Sequence, residues 1–258
     1  KLVLEGMEHK CLGVHGSITM DTAFAMSCNS YFQQCALLEG VGVDSIDKWA
    51  KAFGLGELTG IEIGEYAGYR SNRQTMELKE TDKTHVWGMS DTAQTAIGQL
   101  YTQFTPLQLC TYAAALGNGG YLNTPTLLLY VKTPDGTILQ SGEAKRSKID
   151  ISDETLNIVK EGMKAVTTTK GTSAYEAFKD FPAGFVAAKT GTPETGMEAL
   201  GQSSHSALIC YAPADEPEVA LSVFVEHGAW GRYSLPAGYQ ILADYFDDKN
   251  QDSTGTAT

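Results

Sequence analysis

The sequence predicts an α+β fold in which a small antiparallel sheet is flanked by helices. Apolar residues recur with helical spacing through much of the first two-thirds of the chain. Three short apolar segments follow at residues 185–193, 205–212 and 219–226, and a last amphipathic helix comes after them. Helices and strands segregated in this way are typical of the α+β class. A chain of 258 residues is also long enough to bury a substantial core.

The composition, with 42% hydrophobic and 19% charged residues, is that of an ordinary globular protein. The formal net charge of −12 argues against nucleic-acid binding, because clustered lysines and arginines are what bind a phosphate backbone. The apolar runs are much shorter than the roughly 20 residues that cross a bilayer. No signal peptide is recognisable, and the chain begins at Lys1 in the middle of a pattern, which indicates a piece of a longer protein.

Metal and cofactor chemistry have no support in the sequence. The five cysteines are scattered, odd in number and without a C-x-x-C pair, so we expect free thiols. The five histidines show neither H-x-x-x-H nor H-E-x-x-H spacing. We therefore predict neither a metal site nor a cofactor.

Two short helices are predicted near the start, after an irregular stretch at residues 1–16. Apolar spacing places them at about 19–26 and 30–39. Ser27 and Asn29 lie at the junction between them. One interpretation is helix capping, because Ser and Asn side chains often accept hydrogen bonds from unpaired N–H groups at a helix start.

A third helix is expected to be capped by Asp44 or Ser45, and residues 54–90 are expected to be a long, partly irregular excursion. Residues 105–108 combine a capping box with a proline at the first helical position, which predicts a helix that stops at Gly117. The third helix also shows apolar i, i+3, i+4, i+7 spacing, at Ile46, Trp49, Ala50 and Phe53.

The second half contains strands and two more helices. Residues 127–131 and 137–139 are predicted to pair as a hairpin, and Ser152 to open a helix. The segments 205–212 and 219–226 are joined by a short link, which predicts antiparallel pairing.

A final helix is predicted at about residues 236–246. Residues 247–258 are polar and carry no apolar face, so we expect a disordered tail.

Polar and charged side chains are concentrated at the C-terminal end of the segment 185–193. Strand alternation places Lys189 and Gly191 on one face and Thr190 and Thr192 on the other. Gly191 lacks a side chain, so a ligand can approach closely there. An ammonium group, hydroxyls and backbone N–H groups together suit a bound carboxylate and a carbonyl that becomes an oxyanion. The alternative is a strand that simply ends in a loop.

Ser27-Cys28-Asn29 and Lys189-Thr190-Gly191-Thr192 resemble the second and third motifs of the penicillin-recognising serine enzymes. Other short segments narrow the resemblance to the transpeptidase domain of class B penicillin-binding proteins, and it covers roughly residues 10–246. These segments, in the order usual for that family, include His15-Gly16, Phe53-Gly54-Leu55-Gly56, Gly64-Glu65, Ala96-Ile97-Gly98-Gln99, Asn118-Gly119-Gly120, Gly162-Met163 and Tyr211-Ala212-Pro213.

The resemblance implies a penicillin-binding protein/serine β-lactamase-like fold and a reaction that cross-links peptidoglycan. In that reaction a serine is acylated by a stem peptide ending in D-Ala-D-Ala, and the amine of a neighbouring stem then attacks. β-Lactams imitate the stem peptide and acylate the same serine.

The resemblance also implies a role for each matching residue. Ser27 would relay a proton, and Asn29 would hold the substrate's backbone amide and the general-base lysine. Lys189 would supply positive charge and hydrogen-bond Ser27. Thr190 and Thr192, on either side of Gly191, would bind the terminal carboxylate. The Thr192 backbone N–H would be one donor of the oxyanion hole.

The sequence departs from the family pattern at the nucleophile. The S-x-x-K motif normally lies several tens of residues before S-x-N, but none of the 26 residues before Ser27 forms it. Ser45-Ile46-Asp47-Lys48 matches the letters only, because it lies downstream in an amphipathic helix. We therefore expect residues 1–246 to be a partial transpeptidase domain whose N-terminal part is missing. We also expect the chain, without a nucleophile, to be inactive alone.

Two further expectations follow from the resemblance. Two strands of the family's sheet come from upstream, so the strand near Val219–Val225 should have an unpaired edge that binds a second copy or the missing segment. The parent protein should act at the extracytoplasmic face of the bacterial membrane, with its anchor outside this chain. The alternatives are a β-lactamase or carboxypeptidase relative, and a non-catalytic β-lactam-sensing or cell-wall scaffold module.

Overall fold

The computed structural model describes residues 2–143 and 145–254, with side chains as far as residue 249. The α-helices in these residues are α1 (Met20–Ala25), α2 (Asn29–Ala36), α3 (Gly42–Ala52), α4 (Arg73–Lys79), α5 (Met89–Ala96), α6 (Pro106–Gly117), α7 (Asp153–Thr168), α8 (Ser173–Phe178) and α9 (Leu235–Thr254). Two short 3-10 helices lie at Glu198–Leu200 and Gly231–Ser234. The strands are β1 (Leu2–Leu4), β2 (Met7–His9), β3 (Tyr121–Thr124), β4 (Tyr130–Lys132), β5 (Ile138–Ser141), β6 (Lys145–Lys148), β7 (Ala187–Gly191), β8 (Ser206–Ala212) and β9 (Val219–Val225). None of the helices described is long and apolar enough to cross a membrane.

The chain divides into two compact units. The first unit comprises Lys1–Val14 and Cys28–Leu156, and the second comprises His15–Ser27 and Asn157–Thr258. The second unit therefore combines α1 with most of α7 and all of the C-terminal sheet.

The sheet of the second unit has the strand order β7-β8-β9 and is antiparallel throughout. Lys189 lies opposite Ile209, and Ile209 lies opposite Ser222. The predicted strands and their antiparallel pairing are therefore confirmed, as is the α+β class.

The core of the second unit lies between this sheet and helices α7, α8 and α9. Leu208 and Cys210 of β8 are fully buried in one cluster with Val166 of α7, Phe178 of α8 and Leu242 of α9. Alternate β8 residues belong to this cluster, as expected for a strand that buries one face against helices.

Helix α6 in the first unit begins where its end signals predict. Thr105 Oγ1 accepts a hydrogen bond from the Gln108 N–H, and Gln108 Oε1 accepts one from the Thr105 N–H. The buried Gln108 amide also donates to the carbonyl oxygens of Glu57 and Ala67, so the cap holds part of the preceding loop. Helix α3 begins at Gly42, earlier than predicted, and Asp44 lies in its first turn instead of capping it.

The prediction that residues 1–16 are irregular is wrong for residues 2–9, because β1 and β2 pair there as a hairpin. The Glu5 carboxylate at the hairpin turn accepts hydrogen bonds from the N–H groups of Met89 and Ser90, at the start of α5. This contact between distant segments leaves no local pattern in the sequence.

Residues 54–90 are less irregular than predicted, because α4 and the start of α5 lie within them. Asn72 caps α4 by accepting a hydrogen bond from the Thr75 N–H. With seven residues and only Thr75 and Met76 buried, α4 is too short to show a clear apolar stripe.

The predicted hairpin is present as β4 and β5, but β4 begins at Tyr130, three residues later than predicted. A second pair, β3 with β6, was not predicted. All four residues of β6 are exposed and either charged or polar, so β6 lacks the apolar alternation by which a strand is recognised.

The tail prediction is contradicted for residues 247–254, which continue α9, whereas residues 255–258 lie outside the described residues. The Lys249 ammonium forms an ion pair with Glu218, three residues after Phe246, which packs against the core. Adding residues to an existing helix costs much less free energy than starting one, so the polar sequence extends α9.

Candidate active site

Ser27 lies immediately after α1, in a backbone conformation that is unusual for serine. Its φ angle is 51°, in the left-handed region, and its N–H donates to the Phe24 carbonyl oxygen at 3.1 Å. A left-handed residue commonly ends a helix and turns the chain. A residue with a side chain pays roughly 1–2 kcal/mol for this conformation, so the surrounding packing must hold it.

Helix α1 is held close to α7 by a glycine. A Cβ atom added at Gly162 would lie 2.5 Å from the Phe24 ring, so only glycine permits this approach. Phe24 packs against the buried cluster of the second unit. The position of Ser27 therefore depends on the Phe24–Gly162 contact.

Lys189 is the third residue of β7 and reaches Ser27 across 162 positions of sequence. Its Nζ donates to Ser27 Oγ at 2.7 Å and to the Thr190 carbonyl oxygen at 2.8 Å. The predicted hydrogen bond between these two side chains is thus present within the second unit.

Burial lowers the pKa of Lys189 to about 8, because the charged form is poorly solvated there. Near neutral pH the ammonium form still predominates, but the proton is held less firmly than in an exposed lysine. The pair can therefore attract an anion and pass a proton through the Ser27 hydroxyl.

Thr190 and Gly191 lie opposite Leu208 and Ala207 of β8, and Thr192 follows the last residue of β7. Thr192 Oγ1 accepts a hydrogen bond from the Gly231 N–H at 3.0 Å. The strand does not simply end in a loop, because its end is hydrogen-bonded to a segment 39 residues further along the chain.

Asn29 is the first residue of α2 and belongs to the first unit. The residue at the cap position of α2 is Cys28, and no side chain makes a capping hydrogen bond there. The interpretation of Ser27 and Asn29 as caps of this helix therefore has no support in the geometry.

Two features near these residues were missed by sequence reasoning. The Sγ atoms of Cys11 and Cys28 lie 3.8 Å apart, and burial raises the pKa of Cys28. The second feature is Gly231. Neither the spacing of 17 residues nor a single glycine forms a recognisable motif.

The segment Ser45-Ile46-Asp47-Lys48, which matches S-x-x-K by sequence alone, lies on α3 in the first unit. The contacts of Lys48 and Asp47 are not those of a catalytic serine–lysine pair. The exposed Lys48 ammonium lies 5.4 Å from the centre of the Trp49 ring, and Asp47 accepts hydrogen bonds from Arg70 and Asn72. The segment forms the side of an amphipathic helix, as the sequence predicts.

The sequence profile of the penicillin binding protein transpeptidase domain matches residues 4–247. The chain belongs to this transpeptidase family. The peptidoglycan D,D-transpeptidase MrdA of Haemophilus influenzae is 30% identical over 247 residues, which are 90% of this chain and 37% of that protein. The family assignment made from the two motifs is therefore confirmed.

Solved structures of the family agree with this fold. A peptidoglycan synthase complex that coordinates polymerization and crosslinking contains a chain with a TM-score of 0.78 and 26% identity, covering 95% of this chain and 40% of that one. The ceftriaxone acyl-enzyme complex of penicillin-binding protein A from Mycobacterium tuberculosis has a TM-score of 0.71 and 26% identity, covering 90% and 49%. This chain thus spans 37% of the Haemophilus protein and less than half of each of these two solved chains.

Proposed function

We propose that this chain is the part of a serine-type peptidoglycan D,D-transpeptidase that binds the end of the stem peptide. The observation that carries the proposal is the 2.7 Å hydrogen bond between Lys189 and Ser27, at the end of a strand that continues into Thr190 and Thr192. An ammonium with a lowered pKa beside hydroxyl groups suits the terminal carboxylate of a D-Ala-D-Ala peptide, or the carboxylate of a β-lactam.

In this proposal each motif residue has one role. Lys189 attracts the carboxylate, and Thr190 and Thr192 bind it. Ser27 relays a proton between the nucleophile and the leaving group, while Asn29 holds the substrate's backbone amide. The Thr192 backbone N–H, next to Gly191, is one oxyanion donor. A donor of this kind contributes about 3–4 kcal/mol to transition-state stabilisation in other acyl-transfer enzymes.

The S-x-x-K motif of the family determines what this chain can do by itself. No S-x-x-K motif precedes Ser27 in the sequence, so the acyl-accepting serine would be supplied by a segment outside these 258 residues. In another serine enzyme, loss of the nucleophile or its base costs about six orders of magnitude in rate. The chain alone is expected to bind ligand without being acylated.

Partners and location follow from the same family. One solved relative is part of a peptidoglycan synthase complex, which supports a role for the parent protein in a cell-wall assembly. Its site of action would be the extracytoplasmic face of the bacterial membrane. The edge strand β9 is the surface proposed to pair with a missing segment or a second copy.

Binding is tested by NMR titration with an acylated Lys-D-Ala-D-Ala tripeptide, with the L-Ala-L-Ala peptide as a control ligand. We expect saturable shifts of the Lys189 and Thr192 resonances with the D-peptide alone. Lys189→Met should abolish the shift of the Thr192 resonance. Lys179→Met should not, because Lys179 is half exposed and pairs with Glu176. Equal binding by the Lys189→Met variant would contradict the proposal.

Inactivity is tested separately with a fluorescent penicillin and a denaturing gel. We expect no covalent band on this chain after incubation, because no S-x-x-K motif precedes Ser27 in these 258 residues. A labelled band that survives denaturation would show that the chain contains a nucleophile of its own.

A further inference from the structure

The segment that follows β9 touches the end of β7 at Thr192. The Gly231 N–H donates to Thr192 Oγ1 at 3.0 Å. A hydroxyl oxygen that accepts this hydrogen bond has its single proton directed away from Gly231. The contact therefore restricts the direction in which the Thr192 hydroxyl can donate.

Gly231 lies closer to β7 than any other amino acid could. A Cβ atom added at Gly231 would lie 2.5 Å from the Gly191 carbonyl oxygen and 3.2 Å from the Gly191 nitrogen. Both atoms belong to the backbone of a paired strand, so neither can move aside cheaply. A larger residue would push the Gly231 N–H away from Thr192.

The other side of Gly231 is held by a buried serine. Ser234 is fully buried, and its Oγ donates to the Gly231 carbonyl oxygen at 2.7 Å. The peptide groups on both sides of Gly231 are thus hydrogen-bonded, one to Thr192 and the other to Ser234. Ser234 immediately precedes α9, so the contact ties Thr192 to the core helix.

The turn before Gly231 is also anchored. His227 and Ala229 both have φ angles in the left-handed region, at 53° and 63°. The His227 N–H donates to His205 Nδ1 at 3.1 Å, and the Ala229 N–H donates to the Ser204 carbonyl oxygen at 2.8 Å. The turn keeps a strained conformation because it is hydrogen-bonded to the two residues that precede β8.

We infer that Gly231 and Ser234 are positioning residues that aim the Thr192 hydroxyl at the carboxylate of the bound peptide. The inference rests on the proposed function, because it assigns Thr192 the role of a carboxylate ligand. Gly231 acts through its missing side chain and its N–H, and Ser234 acts by holding the Gly231 peptide in place. Neither residue needs to touch the ligand.

The test compares Ser234→Ala with Ser206→Ala in the whole chain. Both serines are fully buried, but Ser206 Oγ has no hydrogen-bond partner among the described residues. We expect Ser234→Ala to weaken binding of the acylated Lys-D-Ala-D-Ala peptide about three- to tenfold, the range for loss of one hydrogen bond. Ser206→Ala should bind normally, and the melting temperature of each variant monitors folding.

A second pair of variants isolates the glycine. Gly231→Ala should weaken the same binding at least as much as Ser234→Ala. Gly64→Ala is the control, because a Cβ atom there meets no other atom and its backbone is not left-handed. Wild-type affinity in both Gly231→Ala and Ser234→Ala, with the unaltered chain binding peptide, would overturn the inference and leave the proposed function intact.

A measurement without ligand separates the inference from the proposed function. Hydrogen exchange of the Gly231 amide should accelerate in Thr192→Val, which removes the acceptor, and return to normal in Thr192→Ser. Unchanged exchange in Thr192→Val would overturn the inference whether or not the chain binds peptide. If the unaltered chain binds no peptide, the proposed function fails, and this exchange measurement alone decides whether Gly231 orients Thr192.

Discussion

At the scale of single residues, Ser27 and Lys189 show how a site is held under strain. Ser27 has a left-handed backbone, and Lys189 is a cation in poorly solvating surroundings. Each condition costs free energy, and neither improves the packing of the second unit. Such costs are common at functional sites, where the geometry serves chemistry instead of stability.

The strain at Ser27 predicts a difference between two substitutions. Ser27→Gly and Ser27→Ala both remove the hydroxyl group, but only glycine adopts a φ of 51° without steric cost. We expect Ser27→Gly to be more stable than Ser27→Ala by about 1 kcal/mol in urea unfolding. An alanine variant as stable as the glycine variant would show that the backbone is not strained there.

The lowered pKa of Lys189 predicts a dependence of stability on pH. Between about pH 8 and the ordinary lysine pKa of 10.5, the unfolded chain binds more protons at this position than the folded chain. Stability therefore rises with pH across this window, by at most about 3 kcal/mol. The measurement is the free energy of unfolding relative to Lys189→Met at pH 7.5, 9 and 10.5. A constant difference between the two proteins would contradict the lowered pKa.

At the scale of the elements, α1 brings Ser27 to β7, and the turn after β9 brings Gly231 to β7. Each depends on a glycine that lets two segments pack closely. Gly162 allows α1 to approach α7, and Gly231 allows the turn to approach Gly191. Both contacts depend on an absent side chain. For this reason neither glycine can be told from an ordinary one in the sequence, although Gly162 belongs to a segment that matches the family.

Replacing Gly162 tests the contact between α1 and α7. Alanine normally stabilises a helix interior by roughly 1 kcal/mol relative to glycine. Here the added Cβ would lie 2.5 Å from the Phe24 ring, so we expect Gly162→Ala to destabilise the protein by about 1–3 kcal/mol.

The matched control for this substitution is the double variant with Phe24→Leu. A smaller side chain at position 24 should relieve most of the added clash, which gives a favourable coupling in a double-mutant cycle. If the single variant Gly162→Ala were more stable than the unaltered chain, the gain in helix propensity would outweigh the clash with the Phe24 ring.

At the scale of the whole molecule, the sheet of the second unit has an outer strand whose far edge has no strand partner among the described residues. In β9, Phe224 and Val225 are 37% and 39% exposed. An apolar edge strand is a template for pairing with another chain. The chain spans 37% of the length of the Haemophilus relative.

The unpaired edge of β9 predicts that the protein self-associates. A charged side chain introduced on β9 should reduce this association. We expect light scattering to show a concentration-dependent increase in mass, and Val225→Lys to shift the protein toward the monomer. Ile63→Lys, at an exposed apolar residue outside any strand, should have no such effect. A compact monomer that binds no hydrophobic dye would contradict the proposed use of this edge.

Much of this architecture was predictable because it is encoded over short distances. Apolar runs identified β7, β8 and β9, and a capping box located the start of α6. The charged strand β6 and the hairpin at residues 2–9 were missed, since their residues lack an apolar alternation or depend on distant partners. The polar end of α9 was missed because it extends an existing helix.

The sequence by itself determined the fold class, the family and the two motifs that contain Ser27, Asn29 and Lys189. Only the tertiary structure decided that the Lys189 ammonium bonds Ser27 across 162 residues, and that Gly231 bonds Thr192. Periodicity and end signals act within a few turns of chain, so they can be read locally. A hydrogen bond between distant segments depends on how α1, α7, β7 and the turn after β9 pack together. Packing of this kind leaves no local pattern in the sequence.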